Sequence, residues 1–188
     1  MKLLIEKIAD LQALYVKELR LMLSAEEMIA IKSPLMADSA GDPELTHLFR
    51  EHEQETEVHA SRLREILHRI AGEASPLKCK VVYALFNEVE DLIEDASHVP
   101  VCDATLVTEA QRIEHYEIAA YGALVQLARA LGLGEDAELL DQSLLEEERA
   151  TQYLAVIAKR IYPTALMATP ASEQPPLHAQ NDSKRVSR

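Results

Sequence analysis

Gly41-Asp42-Pro43-Glu44 is the stretch on which the fold of this chain turns. A glycine able to end one helix precedes an aspartate able to cap the next. A proline tolerated in a first helical turn follows, then an acid favoured by the positive end of the helix dipole. Two helices joined by so short a turn fold back on one another. Before the turn, Leu4, Ile8, Leu11, Tyr15, Glu18, Met22, Ala25 and Ile29 recur at three- and four-residue steps, which predicts a helix from about residue 3 to residue 40. Pro34 is expected to kink that helix or end it early. After the turn, Leu45, Leu48, Phe49, His52, Thr56, His59, Leu63, Ile66 and Ile70 trace a second stripe that runs to Gly72.

A third stripe opens behind Asp103, read as its cap, and carries Leu106, Ala110, Ile113, Glu117, Tyr121, Leu124, Ala128 and Leu131 as far as Gly132. The turn Gly132-Leu133-Gly134 leads into Leu140, Leu144, Glu147, Thr151, Leu154, Ala158 and Ile161, a fourth helix that Pro163 is expected to stop. The last three helices each hold about 28 residues, or roughly 42 Å, and matched lengths suit a four-helix bundle. Residues 73–102 join the second helix to the third, and their middle, 81–96, has helical periodicity of its own. A connection of that length can run the length of the bundle, so that the second hairpin follows the first in parallel sense. This predicts an all-α, ferritin-like four-helix bundle with an extra helix in the crossover; a plain up-and-down bundle is the alternative. The bundle is expected over residues 1–163, with 164–188, rich in Pro, Ser, Gln and Asn, as a disordered tail.

Composition narrows the function classes. The 188 residues include 19 Lys plus Arg against 32 Asp plus Glu, a formal net charge of -13. Nucleic acid and anionic membrane faces both require a basic footprint, so neither is an expected partner. No apolar run approaches the roughly 20 residues of a membrane-crossing helix. Cys79 and Cys102 are too few for a disulfide scaffold and are read as free thiols; with no signal-peptide pattern, a cytoplasmic location is expected.

The unusual feature is polar residues on apolar stripes. Taking the first turn as a mirror, Glu26 falls opposite Glu57, between Glu55 and His59. Taking the second, Glu114 falls opposite Thr151 and Glu117 opposite Glu148, beside Glu147. His52, Glu55 and His59 share one face of their helix, and Glu114 and Glu117 another. Carboxylates converging inside a bundle raise one another's pKa and cannot be buried as uncompensated anions. Two divalent cations would neutralise them, and mixed carboxylate and imidazole donors suit iron, manganese or zinc better than calcium. The candidate ligands are therefore Glu26, His52, Glu55, His59, Glu114, Glu117 and Glu147, with Glu55 or Glu147 as the bridge. They would hold iron or manganese, two ions per chain at most.

The stretches Ser24-Ala25-Glu26, His52 to Thr56 with Arg62-Leu63, Glu114-His115-Tyr116-Glu117-Ile118-Ala119-Ala120-Tyr121-Gly122, and Leu144-Leu145-Glu146-Glu147 resemble the YciE/YciF family of ferritin-like bacterial stress proteins. The resemblance spans about residues 4–160. It implies a ferritin-like fold with a crossover helix, a homodimer, and a di-iron or di-manganese centre that meets oxygen or peroxide or sequesters metal. Ferritin-like centres usually carry Glu followed three residues later by His, whereas here Val58 follows Glu55 and Ala150 follows Glu147. A His-poor site of this kind is expected to hold its second ion less firmly. Among neighbouring residues, Tyr116 and Tyr121 read as core, His115 as a surface residue, and Glu146 and Glu148 as a solvated acidic face with Arg149. The rival reading is a metal-free structural or interaction bundle that dimerises, its acids protonated or paired with Arg62, Arg112 or histidine.

Overall fold

In a computed structural model, which describes residues 8–168, the chain forms five helices. These are α1 (Leu11–Ser39), α2 (Pro43–Ala71), α3 (Lys80–Asp95), α4 (Val99–Ala130) and α5 (Gly134–Ala168).

Local chemistry sets most of the boundaries. Asp42 caps α2, accepting from the Glu44 and Leu45 amides at 3.1 Å each, with Pro43 in the first turn. Gly72 ends α2 in the left-handed conformation at φ 75°, which a side chain would strain. Gly132, at φ 74°, does the same between α4 and α5. Gly41 works differently from the sequence expectation. Ala40 is the C-terminal cap of α1 and its backbone is extended, so no left-handed residue is needed. A Cβ on Gly41 would instead lie 2.0 Å from Val99 Cγ1, so the glycine permits close approach of α4.

Three expectations about boundaries are corrected, and of the two outcomes expected at Pro34 the early end is ruled out. The first helix begins at Leu11, not near residue 3: Asp10 caps it, accepting from the Ala13 amide at 2.7 Å, and residues 1–7 lie outside the described residues. Pro34 does not end α1. It leaves the Ala30 carbonyl without its usual donor, but Ile29, Met36 and Ala37 are buried on either side and hold the helical path. Pro163 likewise does not stop α5, which continues to Ala168 with Ile161 and Ala165 buried and the Thr164 hydroxyl donating to the Arg160 carbonyl at 2.8 Å. The expected tail thus begins as helix over residues 164–168, and residues 169–188 lie outside the described residues. Finally, Asp103 does not cap α4, which starts at Val99. Asp103 is buried within α4 and accepts from the Gly41 amide at 2.7 Å, binding the α1–α2 turn to α4.

These ties fix the topology. Asp103 meets Gly41 near the start of α4, and Arg160, near the end of α5, forks onto Asp42 and Glu44. At the opposite end the Tyr15 hydroxyl, from the second turn of α1, donates at 3.2 Å to Asp136 in the first turn of α5. Asp136 also takes Arg69 from the last turn of α2. So α2 and α4 run in one direction and α1 and α5 in the other, the crossover topology rather than the up-and-down one. α1 packs on α2 and α4 on α5 as hairpins, and α3 lies across α1 and α4. Val82, Phe86 and Val89 bury the inner face of α3. The connection is stitched to α1 where the Leu77 amide donates to the Arg20 carbonyl at 2.9 Å and the Cys79 amide to Ser24 Oγ at 3.2 Å. Cys79 and Cys102 are both free and buried. No helix among the described residues is long and apolar enough to cross a membrane.

Candidate metal centre

Leu19, Met22, Leu63, Ile66, Leu106 and Leu124 belong to the apolar core of the bundle. At one level that core gives way to acids: Glu26 from α1, Glu114 and Glu117 from α4, and Glu147 from α5, with His52, Thr56 and His59 from α2, all buried. Their donor atoms fall into two overlapping groups, within each of which they lie inside 4.8 Å of one another. One group is Glu26, His59 and Glu147; the other is His52, Glu114, Glu117 and Glu147. Glu147 belongs to both and is placed to bridge.

In the first group His59 Nδ1 stands 2.8 Å from Glu147 Oε1 and 3.6 Å from Glu26 Oε1. The shorter contact is misaligned for a hydrogen bond and leaves Nδ1 without a partner. In the second, His52 Nε2 lies 3.7 Å from Glu114 Oε1 and 4.0 Å from Glu117 Oε2. The Tyr121 hydroxyl donates to Glu26, and its ring meets His59 edge-on with centroids 5.8 Å apart.

Burial and crowding shift the acids and the histidines of this cluster strongly. Burial drives Glu26 up to about 8 and pushes Glu114 and Glu117 well above the ordinary carboxylate range, neighbouring carboxylates adding to the effect. Glu147 moves the other way: burial raises it, but His59 and His52 outweigh that and keep it the ionised member. His59 is opposed by burial yet held up at about 9 by Glu147, Glu26 and Glu146. Burial lowers His52. Arg62 and Arg112, the alternative counter-cations, direct their guanidinium groups to Glu146 and Glu109 respectively.

The donor set fits a pair of divalent transition-metal ions. Every buried side-chain nitrogen or oxygen without a hydrogen-bond partner among the described residues belongs to these six ligand candidates or to Thr56 and Thr151. Such atoms are rare in folded proteins because each costs about 1–3 kcal/mol when left unmet. Four carboxylates and two imidazoles would be neutralised by two divalent ions, and mixed oxygen and nitrogen donors suit iron or manganese.

Of the sequence-derived candidates, the structure brings together Glu26, His52, His59, Glu114, Glu117 and Glu147 and leaves out Glu55. His52, Thr56 and His59 follow one another at four- and three-residue steps, and Glu55 stands about 100° round the helix from Thr56. It is exposed and lines a surface groove with Glu51, Gln54, Val58 and Glu146. Glu147 is the residue that the two groups share. Two residues were missed. Thr56 is fully buried with an unpartnered hydroxyl in the centre, and its place on the stripe was the available signal. Glu146 does not join a solvated face with Glu148: its Oε2 lies 2.8 Å from His59 Nε2, and Arg62 forks onto it. Partial burial pushes Glu146 up, but Arg62 and His59 together hold it below the usual range. His115 is exposed, Tyr121 is fully buried, and Tyr116 is half-buried with its hydroxyl 3.0 Å from Cys79 Sγ.

Known proteins place the fold and the family. Residues 10–167 match the family described as a domain of unknown function, DUF892. Protein YciF of Escherichia coli strain K12 is 34% identical over 129 residues, covering 68% of this chain and 77% of that protein. The crystal structure of the E. coli stress protein YciF superposes with a TM-score of 0.79 at 28% identity, over 83% of this chain and 99% of that one. YcfI from Rhodopseudomonas palustris, for which a structural role has been put forward, gives 0.78 at 29% identity over 80% of this chain and 96% of that one. A dodecameric thioferritin, the bacterioferritin-related protein from Bacteroides fragilis, gives 0.64 at 16% identity over 86% of this chain and 93% of that one, a likeness of fold alone. The bundle with its crossover helix is thus ferritin-like, and the chain belongs to the DUF892 family, the YciE/YciF family of ferritin-like bacterial stress proteins.

Proposed function

We propose that this chain binds two divalent transition-metal ions, iron or manganese, between α1, α2, α4 and α5, and so handles oxygen or peroxide or sequesters metal in a stress response. The observation that carries the reading is the concentration of buried, unpartnered oxygen and nitrogen atoms at one level of an otherwise apolar bundle. When bound, such ions supply Lewis acidity and one-electron redox chemistry. The chain's own residues do the rest. Glu147 spans both donor groups and couples them; Tyr121 orients Glu26 through its hydroxyl; Ile29, Met36, Phe49, Phe86 and Ile113 wall the His52 and Glu114 side and keep bulk water out. His59, held up at about 9, and the raised glutamates give up protons on loading, so uptake releases acid.

A cytoplasmic homodimer belongs to the same reading. Val58 on α2, with Leu145, Tyr153 and Val156 on α5, leave apolar surface exposed that a second copy could cover.

Elemental analysis of the full chain purified without a metal-affinity tag tests the proposal. Between one and two iron or manganese per chain are expected, lost in Glu147→Ala while the helical circular dichroism persists. A native protein free of metal that also fails to take up iron(II) or manganese(II) would overturn it in favour of the metal-free structural bundle.

A further inference from the structure

We propose that Glu146 is the positioning residue of the centre, its carboxylate fixing His59 so that Nδ1 faces the cations and the Glu26, His59 and Glu147 group fills first. The inference rests on the metal reading above and deepens it, because it assigns unequal roles to two donor groups of similar composition.

A neutral imidazole carries one hydrogen and one lone pair, and the partner of one nitrogen decides the role of the other. His59 Nε2 lies 2.8 Å from Glu146 Oε2. An ionised carboxylate only accepts, so Nε2 carries the hydrogen. Once the ring gives up its other proton to a cation, the lone pair is left on Nδ1, the atom that stands among Glu26 and Glu147 without a hydrogen-bond partner. Glu146 is itself held in place. Arg62 Nη2 donates to its Oε1 at 3.1 Å, Arg62 Nη1 donates to its Oε2, and the same Nη1 reaches Ser143 Oγ at 3.0 Å. The Tyr121 ring, edge-on to His59, restricts rotation of the imidazole. Arg62, Glu146 and His59 form a chain of charge-assisted hydrogen bonds that ends at the metal-facing nitrogen. A carboxylate behind a ligating histidine orients the ring and raises its basicity.

His52 has no such support. Both of its ring nitrogens are buried and without a partner, so neither its tautomer nor its ring orientation is set in advance. Loading the His52 group must order that ring, whereas the His59 group is ordered beforehand. Adjacent residues on one helix thus divide the work: Glu147 points inward as a ligand, and Glu146 reaches the far side of the histidine from the rim.

Zinc(II), being diamagnetic, is a suitable probe on the full chain. Its stepwise affinities would be measured by calorimetry in the unsubstituted protein, Glu146→Leu, Glu146→Gln and, as an exposed neighbour, Glu148→Gln, with circular dichroism reporting the fold. Nitrogen-15 shifts of the His59 ring in the zinc-loaded state read the tautomer directly. The expected result is the Nε2–H form in the unsubstituted protein. Glu146→Leu should lose about 10–100-fold at the tighter site and much less at the weaker one. Glu146→Gln, whose amide oxygen can still accept, should fall between, and Glu148→Gln should match the unsubstituted protein. An Nδ1–H form, an unchanged tight site in Glu146→Leu, or equal losses at both sites would overturn the assignment of Glu146 while leaving the metal reading intact. No zinc uptake by the unsubstituted protein would overturn the metal reading and this inference with it. If Glu146→Leu does not fold, the tautomer and affinities of Glu146→Gln decide.

Discussion

Glu147 Oε1, on α5, lies 2.8 Å from His59 Nδ1, on α2, and the same carboxylate reaches into the donor group that His52 forms with Glu114 and Glu117. One side chain therefore belongs to both donor groups, each of which draws on both helical hairpins. Removing it should damage both.

Glu147→Ala is accordingly expected to bring bound iron or manganese close to zero. Glu26→Ala, which touches one group only, should leave up to one ion per chain. Glu55→Ala, on the exposed rim, should load nearly as the unsubstituted protein does. Metal-to-protein ratios by elemental analysis, alongside circular dichroism, check all three; strong loss in Glu55→Ala would show that its side chain swings inward.

The metal-free protein should lose stability as pH rises. Glu26 is raised to about 8 and His59 to about 9 in the fold. A raised folded-state pKa means the native state binds protons more tightly than the unfolded chain. The contribution of Glu26 is complete below its ordinary 4.5 and lost as pH climbs through about 8. That of His59 is complete below 6.5 and lost through about 9. Thermal melts of chelator-treated protein at pH 6 and pH 9 should differ by at least ~2–4 °C, the shift about 1 kcal/mol produces in a domain of this size. Saturating metal should shrink or reverse the difference, because the ions favour the deprotonated ligands. An apo protein equally stable at both pH values would contradict it.

Glu117→Leu should separate stability from function. Both Glu117 oxygens are buried without partners, so in the metal-free protein an apolar side chain of similar length removes an unmet polar group. The apo variant is expected to melt higher, by an amount on the order of 1–3 kcal/mol, while binding less metal. Differential scanning calorimetry with and without metal gives both numbers, and an apo melting temperature below that of the unsubstituted protein would argue that Glu117 stabilises the fold.

Asp103→Ala should loosen the junction between the first turn and α4 rather than unwind the start of α4. Its carboxylate accepts from the Gly41 amide at 2.7 Å, and α4 has already begun at Val99. A loss of about 0.5–1.5 kcal/mol is expected, the net worth of one part-buried hydrogen bond. Hydrogen exchange should accelerate at Gly41, with residues 99–103 little changed; the opposite pattern would restore the capping role.

Much of this protein is written in short-range signals. Asp42-Pro43 starts α2 and Gly72 ends it through the chemistry of a single turn, and the stripes mark helices because the 3.6-residue period is intrinsic to the backbone. The levels of Glu26, Glu114, Glu117 and Glu147 are legible for the same reason: a fixed rise per residue and a short turn convert sequence distance into height. Where a side chain stands round the helix, and what it meets there, is another matter. Glu55 read as an inward ligand and Glu146 as part of a solvated face, yet Glu55 is exposed on the rim and Glu146 stands behind His59, because the width of the buried stripe depends on how closely neighbouring helices approach. Pro34 and Pro163 carry local stop signals that packing on either side overrides. Asp103 had the composition of a cap and became a clasp on a turn distant in sequence. Sequence alone determined the helices, their order and the depth of the acids, because those follow from interactions within a few residues. Tertiary structure decided which acids face one another and which histidine has a carboxylate behind it, because those depend on contacts between helices that no local rule encodes.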